Sequence, residues 1–321
     1  MSENRSFRHH PWLEELGSES QDHLVAYLTF LHLRQSSPDT IRVVQSALKM
    51  FCCQLPKVRR TQIMQDWAHL TTEDIETFLQ AAYDAGLAAS TIRTRLNTAR
   101  RFFEFLQEEG RLARHPFRRN RHVIHVPLPL PRYMPEADLV RFFQVIDRLR
   151  DRLLFLLMLR CGLRVSEART LTWDAIRWDQ EAIRIDDSKG HVDRVVYYTP
   201  DLEQALKQWR EQAPPDVSYL FPSPKKGCAG KPLTDSQIRR LMTTYRRQAE
   251  ITAPYSPHSL RHTFATVLLN AGASLEVVKE LMGHRRLDMT LRYARLYDST
   301  RRQQYDQAMN EVTKRQQLGG S

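Results

Sequence analysis

His258 and His262 stand four residues apart in YSPHSLRHTF, with Arg261 between them and Pro257 just before. An i, i+4 spacing puts both imidazoles on one face of a helix, the arrangement that zinc hydrolases use. Zinc chemistry fits this stretch poorly. The first histidine is followed by Ser259 where a glutamate would have to act as base, and Arg261 would set a fixed cation beside a divalent one. No metal site is expected. A structural helix start, with Pro257 in the first turn and the histidines packing or capping, would account for the cluster if it stood alone.

Other residues of matching chemistry accompany it. Arg164 enters a helix from the Gly-led turn of GLRVSE, and Glu167 follows three positions later on the same face, where it can hold the guanidinium. Lys189 lies in the turn DSKGH between two strand-like runs, His284 follows Gly283, and Tyr293 comes nine positions after His284. Arginine binds phosphate through two parallel hydrogen bonds and stays charged at any working pH. Two arginines, a lysine and several histidines therefore suit a phosphodiester whose charge grows in the transition state. Such a site needs a nucleophile. The chain has no Walker A glycine loop and no carboxylate cluster for magnesium, so a side chain is the natural attacker. Tyr293 fits best, with Tyr297 one helical turn further as its competitor. A free tyrosine titrates at about 10, so phenolate at neutral pH costs about 4 kcal/mol, which nearby cations and a histidine base can lower.

The whole chain has the charge for a polyanionic partner. Among 321 residues, 48 Lys and Arg oppose 37 Asp and Glu, a net charge of +11. Nucleic acid is the leading partner. With 41% hydrophobic and 26% charged residues the composition is that of a folded protein. The longest apolar run, LLFLLML, ends at Arg160, far short of the roughly 20 residues that span a bilayer, and reads as a core helix. MSENRSFRHHPWLEEL lacks the apolar stretch of a signal peptide, so a cytoplasmic protein is expected. Cys52, Cys53, Cys161 and Cys228 form no CxxC pair and are read as reduced thiols.

These residues must be positioned by helices and one small sheet. After a tail at 1–19, residues 20–110 carry about four amphipathic helices. In SPDTIRVVQSALKMFCCQL the apolar positions Ile41, Val44, Leu48 and Phe51 fall on one face, and in STIRTRLNTARRFFEFLQEEG the stripe is Ile92, Leu96, Ala99 and Phe103. Residues 111–133 break the period with four prolines and many Arg and His, and are read as a basic, flexible linker that lets two domains close on a duplex. Arg93, Arg100, Arg101, Arg118, Arg119 and Arg121 are the expected DNA-contacting residues. Residues 134–300 form a second, mainly helical domain, interrupted by β-type alternation at Ile183, Ile185, Val195, Val196 and Tyr197. Residues 301–321 are expected to be a helix and tail.

The order of Arg164, Lys189, His258 and Arg261 in HSLRH, Gly283-His284 and Tyr293 resembles the tyrosine recombinases, or phage integrase family. The interval between His284 and Tyr293 is the family's customary one. The resemblance implies a mainly α fold with a small β-sheet, a SAM-like core-binding bundle followed by a DNA breaking-rejoining catalytic domain. It implies a site-specific recombinase in which Tyr293 attacks a DNA phosphate, forms a 3′-phosphotyrosine link and releases a 5′-hydroxyl, with no cofactor. Arg164 and Arg261 would bind the non-bridging oxygens, Lys189 would protonate the leaving oxygen, His258 would exchange protons with the tyrosine and His284 would support the phosphate. Glu167 would orient Arg164, and His262 would pack behind them. Partners implied are double-stranded DNA at a specific site and a homotetrameric synapse passing through a Holliday junction, with a monomer when free. The setting would be the nucleoid of a prokaryote, and the task integration, excision or resolution of a mobile element. Arg285 and Arg286 depart from the small polar residues usual after Gly-His, and Arg295 stands where a histidine is often found. A type IB topoisomerase-like enzyme and a non-catalytic DNA-binding accessory protein are the rival readings.

Overall fold

The computed structural model describes residues 11–118, 120–126, 131–186, 193–215, 217–224, 230–284, 289–290 and 309. The chain divides into two compact units, Met1–Leu128 and Pro129–Ser321.

In the first unit the helices are α1 (Ser18–Leu33), α2 (Pro38–Cys53), α3 (Lys57–Gln65), α4 (Thr72–Asp84) and α5 (Ala89–Glu108). Their starts follow from local chemistry. Ser37 accepts from the Thr40 amide ahead of Pro38, and Thr71 exchanges side-chain and backbone hydrogen bonds with Asp74. The stripe Ile92, Leu96, Ala99 and Phe103 of α5 is fully buried. Phe102, Phe105 and Leu106 are buried too, so the C-terminal half of α5 is enclosed on two sides. Leu28, Leu48, Phe51, Trp67 and Phe78 complete this core. The short α3 goes beyond the four helices read from sequence. It buries only Ile63 and Met64, too few apolar positions to show a period.

The reading of 111–133 as a flexible spacer does not describe its first half. Leu112 and Phe117 belong to the core of the first unit, and Phe117 sits 5.9 Å from Phe103 and 6.3 Å from Phe51 between ring centroids. His122 is 1% exposed. Thr72 Oγ1 donates to the Pro116 carbonyl at 3.0 Å, which fixes the segment to α4.

The second unit contains α6 (Glu136–Gln144), α7 (Leu149–Arg160), α8 (Val165–Thr170), α9 (Pro200–Gln212), α10 (Asp235–Gln248), α11 (Pro257–Asn270) and α12 (Leu275–Met282). Between α8 and α9 lie β1 (Ile176–Arg177), β2 (Ala182–Ile185) and β3 (Arg194–Tyr197), an antiparallel sheet in the order β1-β2-β3. The apolar run read as a core helix is α7. Leu153, Leu154, Phe155, Leu157 and Met158 are buried, and α7 packs on α9 and α11. Burial of side chains this size contributes about 1.5–3 kcal/mol each. In the sheet, Ile183 pairs with Val196 and Ile185 with Arg194, all four on the buried face. A charged residue in phase with buried valine and isoleucine must have a partner inside.

Candidate active site

The site is assembled at the carboxyl end of α12. A helix leaves its last carbonyls without intrahelical partners. Here the turn is closed by Gly283 at φ 59°, a left-handed conformation that glycine adopts without strain. Three successive carbonyls then each accept from a different arginine. Arg194 Nε donates to Leu281 at 2.7 Å, Arg261 Nη2 donates to Met282, and Arg164 Nη2 donates to Gly283 at 2.8 Å. Arg261 Nη1 also donates to the Gly162 carbonyl. Cations at a helix C-terminus are favoured by the macrodipole as well as by these bonds.

One carboxylate ties the three arginines together. Glu167 Oε1 accepts from Arg164 Nη1 at 2.6 Å and from Arg194 Nη1 at 2.9 Å. Its Oε2 accepts from the Arg164 amide at 2.7 Å and from Arg194 Nη2 at 2.8 Å, with Arg261 Nη1 3.8 Å away. Burial alone pushes the Glu167 carboxyl up. The hydrogen bonds and charge of Arg194, the Arg164 amide and the charge of Arg261 outweigh it and bring it down to about 2. Glu167 is therefore an anion at every working pH, and the cluster retains two net positive charges.

The histidines border this cluster. His284 is 9% exposed, and its Nδ1 lies 2.9 Å from Thr290 Oγ1. Burial, then Arg261, Arg164, Arg194 and His262, hold its ring down to about 3. His258 stands in the first turn of α11, where Pro257 and the Ser256–Ser259 cap start the helix. His258 is exposed, yet desolvation by the surrounding protein, then Arg239, Arg261 and Arg164, lower its pKa against an opposing contribution from Asp235. Both rings are neutral at pH 7, and a neutral ring can accept a proton. His262, half-buried one position after Arg261, lies close enough to His284 to depress it.

The structure thus brings Arg164, Glu167, His258, Arg261, His262 and His284 to one place. Lys189 and Tyr293, like Tyr297, lie outside the described residues. Two members escaped the sequence reading. Arg194 completes the carboxylate clamp, and the apolar residues Val195, Val196 and Tyr197 after it do not by themselves say which face of the strand is buried. Arg239, exposed on α10, acts on His258 from across the site, and α10 is tied to α8 by Arg169 and Asp235 at 3.2 Å. Nothing in the local pattern of α10 marks Arg239 out.

The basic residues proposed for DNA lie in the first unit. Arg93 and Arg100 line a groove with Asn97 and the segment 123–126. Arg100 donates to the His122 carbonyl and lies over the Phe117 ring at 5.7 Å, so it holds both residues on α5. Arg121 pairs with Glu76 at 2.6 Å. Arg101 and Arg118 are exposed and Arg93 is half-exposed. Arg119 is outside the described residues.

Two family profiles match the chain. Residues 132–300 match the phage integrase family, and residues 24–110 match the phage integrase N-terminal SAM-like domain. The tyrosine recombinase XerC of Bacillus subtilis is 30% identical over 264 residues, covering 77% of this chain and 83% of that protein. The tyrosine recombinase XerC of Oceanobacillus iheyensis is 29% identical over 288 residues, covering 85% and 90%. Among solved structures, the Tn1549 transposon integrase in complex with transposon right end DNA superimposes with a TM-score of 0.69 at 18% identity, covering 89% of this chain and 99% of that one. A lambda integrase dimer bound to a COC′ core site gives 0.68 at 18% identity, covering 84% and 96%. These two superpositions bear on the fold.

Proposed function

The chain belongs to the phage integrase family and is a site-specific tyrosine recombinase, and we propose that it cuts and rejoins double-stranded DNA through a 3′-phosphotyrosine link made by Tyr293. The observation that carries this reading is the pair Arg164 and Arg261, brought from two helices onto one helix end and one carboxylate, beside two histidines held neutral. Rigidly held guanidiniums at a net positive site stabilise charge developing on the non-bridging oxygens of a phosphodiester.

In the proposed step the Tyr293 hydroxyl oxygen bonds to phosphorus while the bond to the 5′ oxygen breaks. The phenol proton passes to His258, whose lowered pKa keeps it unprotonated and ready to accept. Lys189 delivers a proton to the departing 5′ oxygen. His284, a neutral ring held by its Nδ1 contact with the Thr290 hydroxyl, supports the phosphate. The bond energy is kept in the phosphotyrosine, and attack by another 5′-hydroxyl reverses the step on a new strand. Two such rounds pass through a Holliday junction in a homotetramer.

DNA is gripped through phosphates by basic residues of the first unit, with Arg93, Arg101 and Arg118 the solvent-facing members among the described residues, Arg100 and Arg121 assisting, and Arg119 assigned from the sequence. The work is done in the cytoplasm on nucleoid DNA, and the task is integration, excision or resolution of a mobile element. Among the described residues no helix is long and apolar enough to cross a membrane.

The test is strand exchange between two labelled duplexes carrying the sequence next to the protein's own gene. The wild-type chain is expected to yield exchanged products without nucleotide or metal. Tyr293→Phe is expected to bind the same duplexes and yield none. Exchange by Tyr293→Phe would overturn the assignment of the nucleophile.

A further inference from the structure

We propose that Arg194 is the positioning residue of this site, holding Glu167, and through it Arg164 and Arg261, in register with the carboxyl end of α12. The inference rests on the recombinase reading and assigns a task to a residue outside the recognised constellation.

Arg194 is built to act through others. It is 8% exposed, and each of its three guanidinium nitrogens has an inward partner: the Leu281 carbonyl, Glu167 Oε1 and Glu167 Oε2. Every nitrogen of this guanidinium, Nε included, is therefore used in holding its neighbours. Its planar fork spans two carboxylate oxygens and a carbonyl together, which the single nitrogen of lysine cannot do. The space it occupies is equally specific. A Cβ added at Gly283 would stand 2.9 Å from Arg194 Nη1, so the guanidinium fills the volume a side chain there would need.

Two consequences follow for the phosphate-binding arginines. Glu167 is required to fix Arg164, yet a carboxylate shared only by Arg164 and Arg261 would cancel half the charge meant for the substrate. Arg194 supplies the compensating cation, and the pair Arg164 and Arg261 keeps its net positive charge. Arg194 is also the first residue of β3, directly after the connection that carries Lys189. Its bonds fasten that end of the hairpin to α8 and α12, so three segments carrying Lys189, Arg164 and His284 meet on one side chain.

The test uses the full-length chain with Arg194→Met, Arg194→Lys, Glu167→Gln and the Arg194→Met/Glu167→Gln double variant. First, the Glu167 carboxyl is followed by carbon-13 NMR against pH, with Glu167→Gln assigning the signal. Arg194→Met is expected to raise the midpoint by about two units, the effect of removing an adjacent arginine. An unmoved midpoint overturns the proposal without reference to DNA. Second, covalent attachment is timed on a duplex that the wild-type chain cuts. Arg194→Met is expected to slow attachment about 100-fold, the cost of a misplaced reacting group, while duplex affinity stays near wild type.

The double variant should be no slower than the slower single variant, because both act through the same contact. Losses that multiply, or that appear equally in duplex affinity and melting temperature, would make Arg194 a structural residue only. Arg194→Lys keeps the charge and is expected to fold even if Arg194→Met does not. It should show an intermediate loss of attachment, and wild-type rates from it overturn the need for the fork. If the wild-type chain attaches to no duplex, the recombinase reading fails and the role in cleavage with it, whereas the titration still decides whether Arg194 holds Glu167.

Discussion

Substituting Glu167→Gln removes one buried negative charge from among three guanidiniums, and its effect can be worked from the structure. The carboxyl is held at about 2 against an ordinary value of 4.5. At about 1.36 kcal/mol per pKa unit, that difference corresponds to roughly 3 kcal/mol of stability. The side chain is 6% exposed, so solvent does little to screen it. A folded-state pKa depressed below the unfolded one stabilises above the unfolded value and is lost as pH falls through the folded one. The wild-type advantage over Glu167→Gln should thus be about 3 kcal/mol at pH 7, hold down to about pH 5 and shrink from there toward pH 2. Amide hydrogen exchange in α7, corrected for the intrinsic pH dependence, reports the free energy of the catalytic unit without assuming that both units unfold together. A difference that is small at pH 7, or that stays constant from pH 6 to pH 2.5, would refute the assignment of Glu167 as the ionised hub.

Three further outcomes are expected. Gly283→Ala places a Cβ in the left-handed region and against Arg194, so it should cost about 1–2 kcal/mol of stability in hydrogen exchange and slow covalent attachment as well. His284 is neutral when folded down to about pH 3, whereas the unfolded chain protonates it near 6.5. Stability should therefore fall as pH drops below about 6.5, and His284→Gln should flatten that part of the pH profile of α7 exchange. Arg101→Gln and Arg118→Gln should each reduce the slope of log affinity against log salt by about 0.9, as one phosphate contact is lost, when duplex binding is titrated between low and moderate salt.

What could be read from sequence was local. Ser37 before Pro38, Thr71 with Asp74, and the stripe from Ile92 to Phe103 are set by neighbours within a turn or two, so the helices they define were legible. So was the alternation that makes β2 and β3, and so was Glu167 three residues after Arg164. The burial of Leu112, Phe117 and His122 was not legible, because they follow no helical or strand period and Phe117 packs on the distant rings of Phe51 and Phe103. The convergence of Arg164, Arg194 and Arg261 on successive carbonyls of α12 joins residues up to 119 positions apart and exists only in the folded unit. Arg194 was not singled out in the sequence, where Val195, Val196 and Tyr197 are all apolar and do not by themselves say which face of the strand is buried.

The central claim is that Tyr293 forms the covalent bond. The most direct measurement is to incubate the full-length protein with duplex DNA from beside its gene, stop the reaction in denaturant, digest the adduct and locate the nucleotide-bearing peptide by mass spectrometry. A nucleotide 3′-phosphate on Tyr293 is the predicted result. An adduct on Tyr297 or any other residue, or tight binding to a specific duplex with no adduct at all, would contradict it.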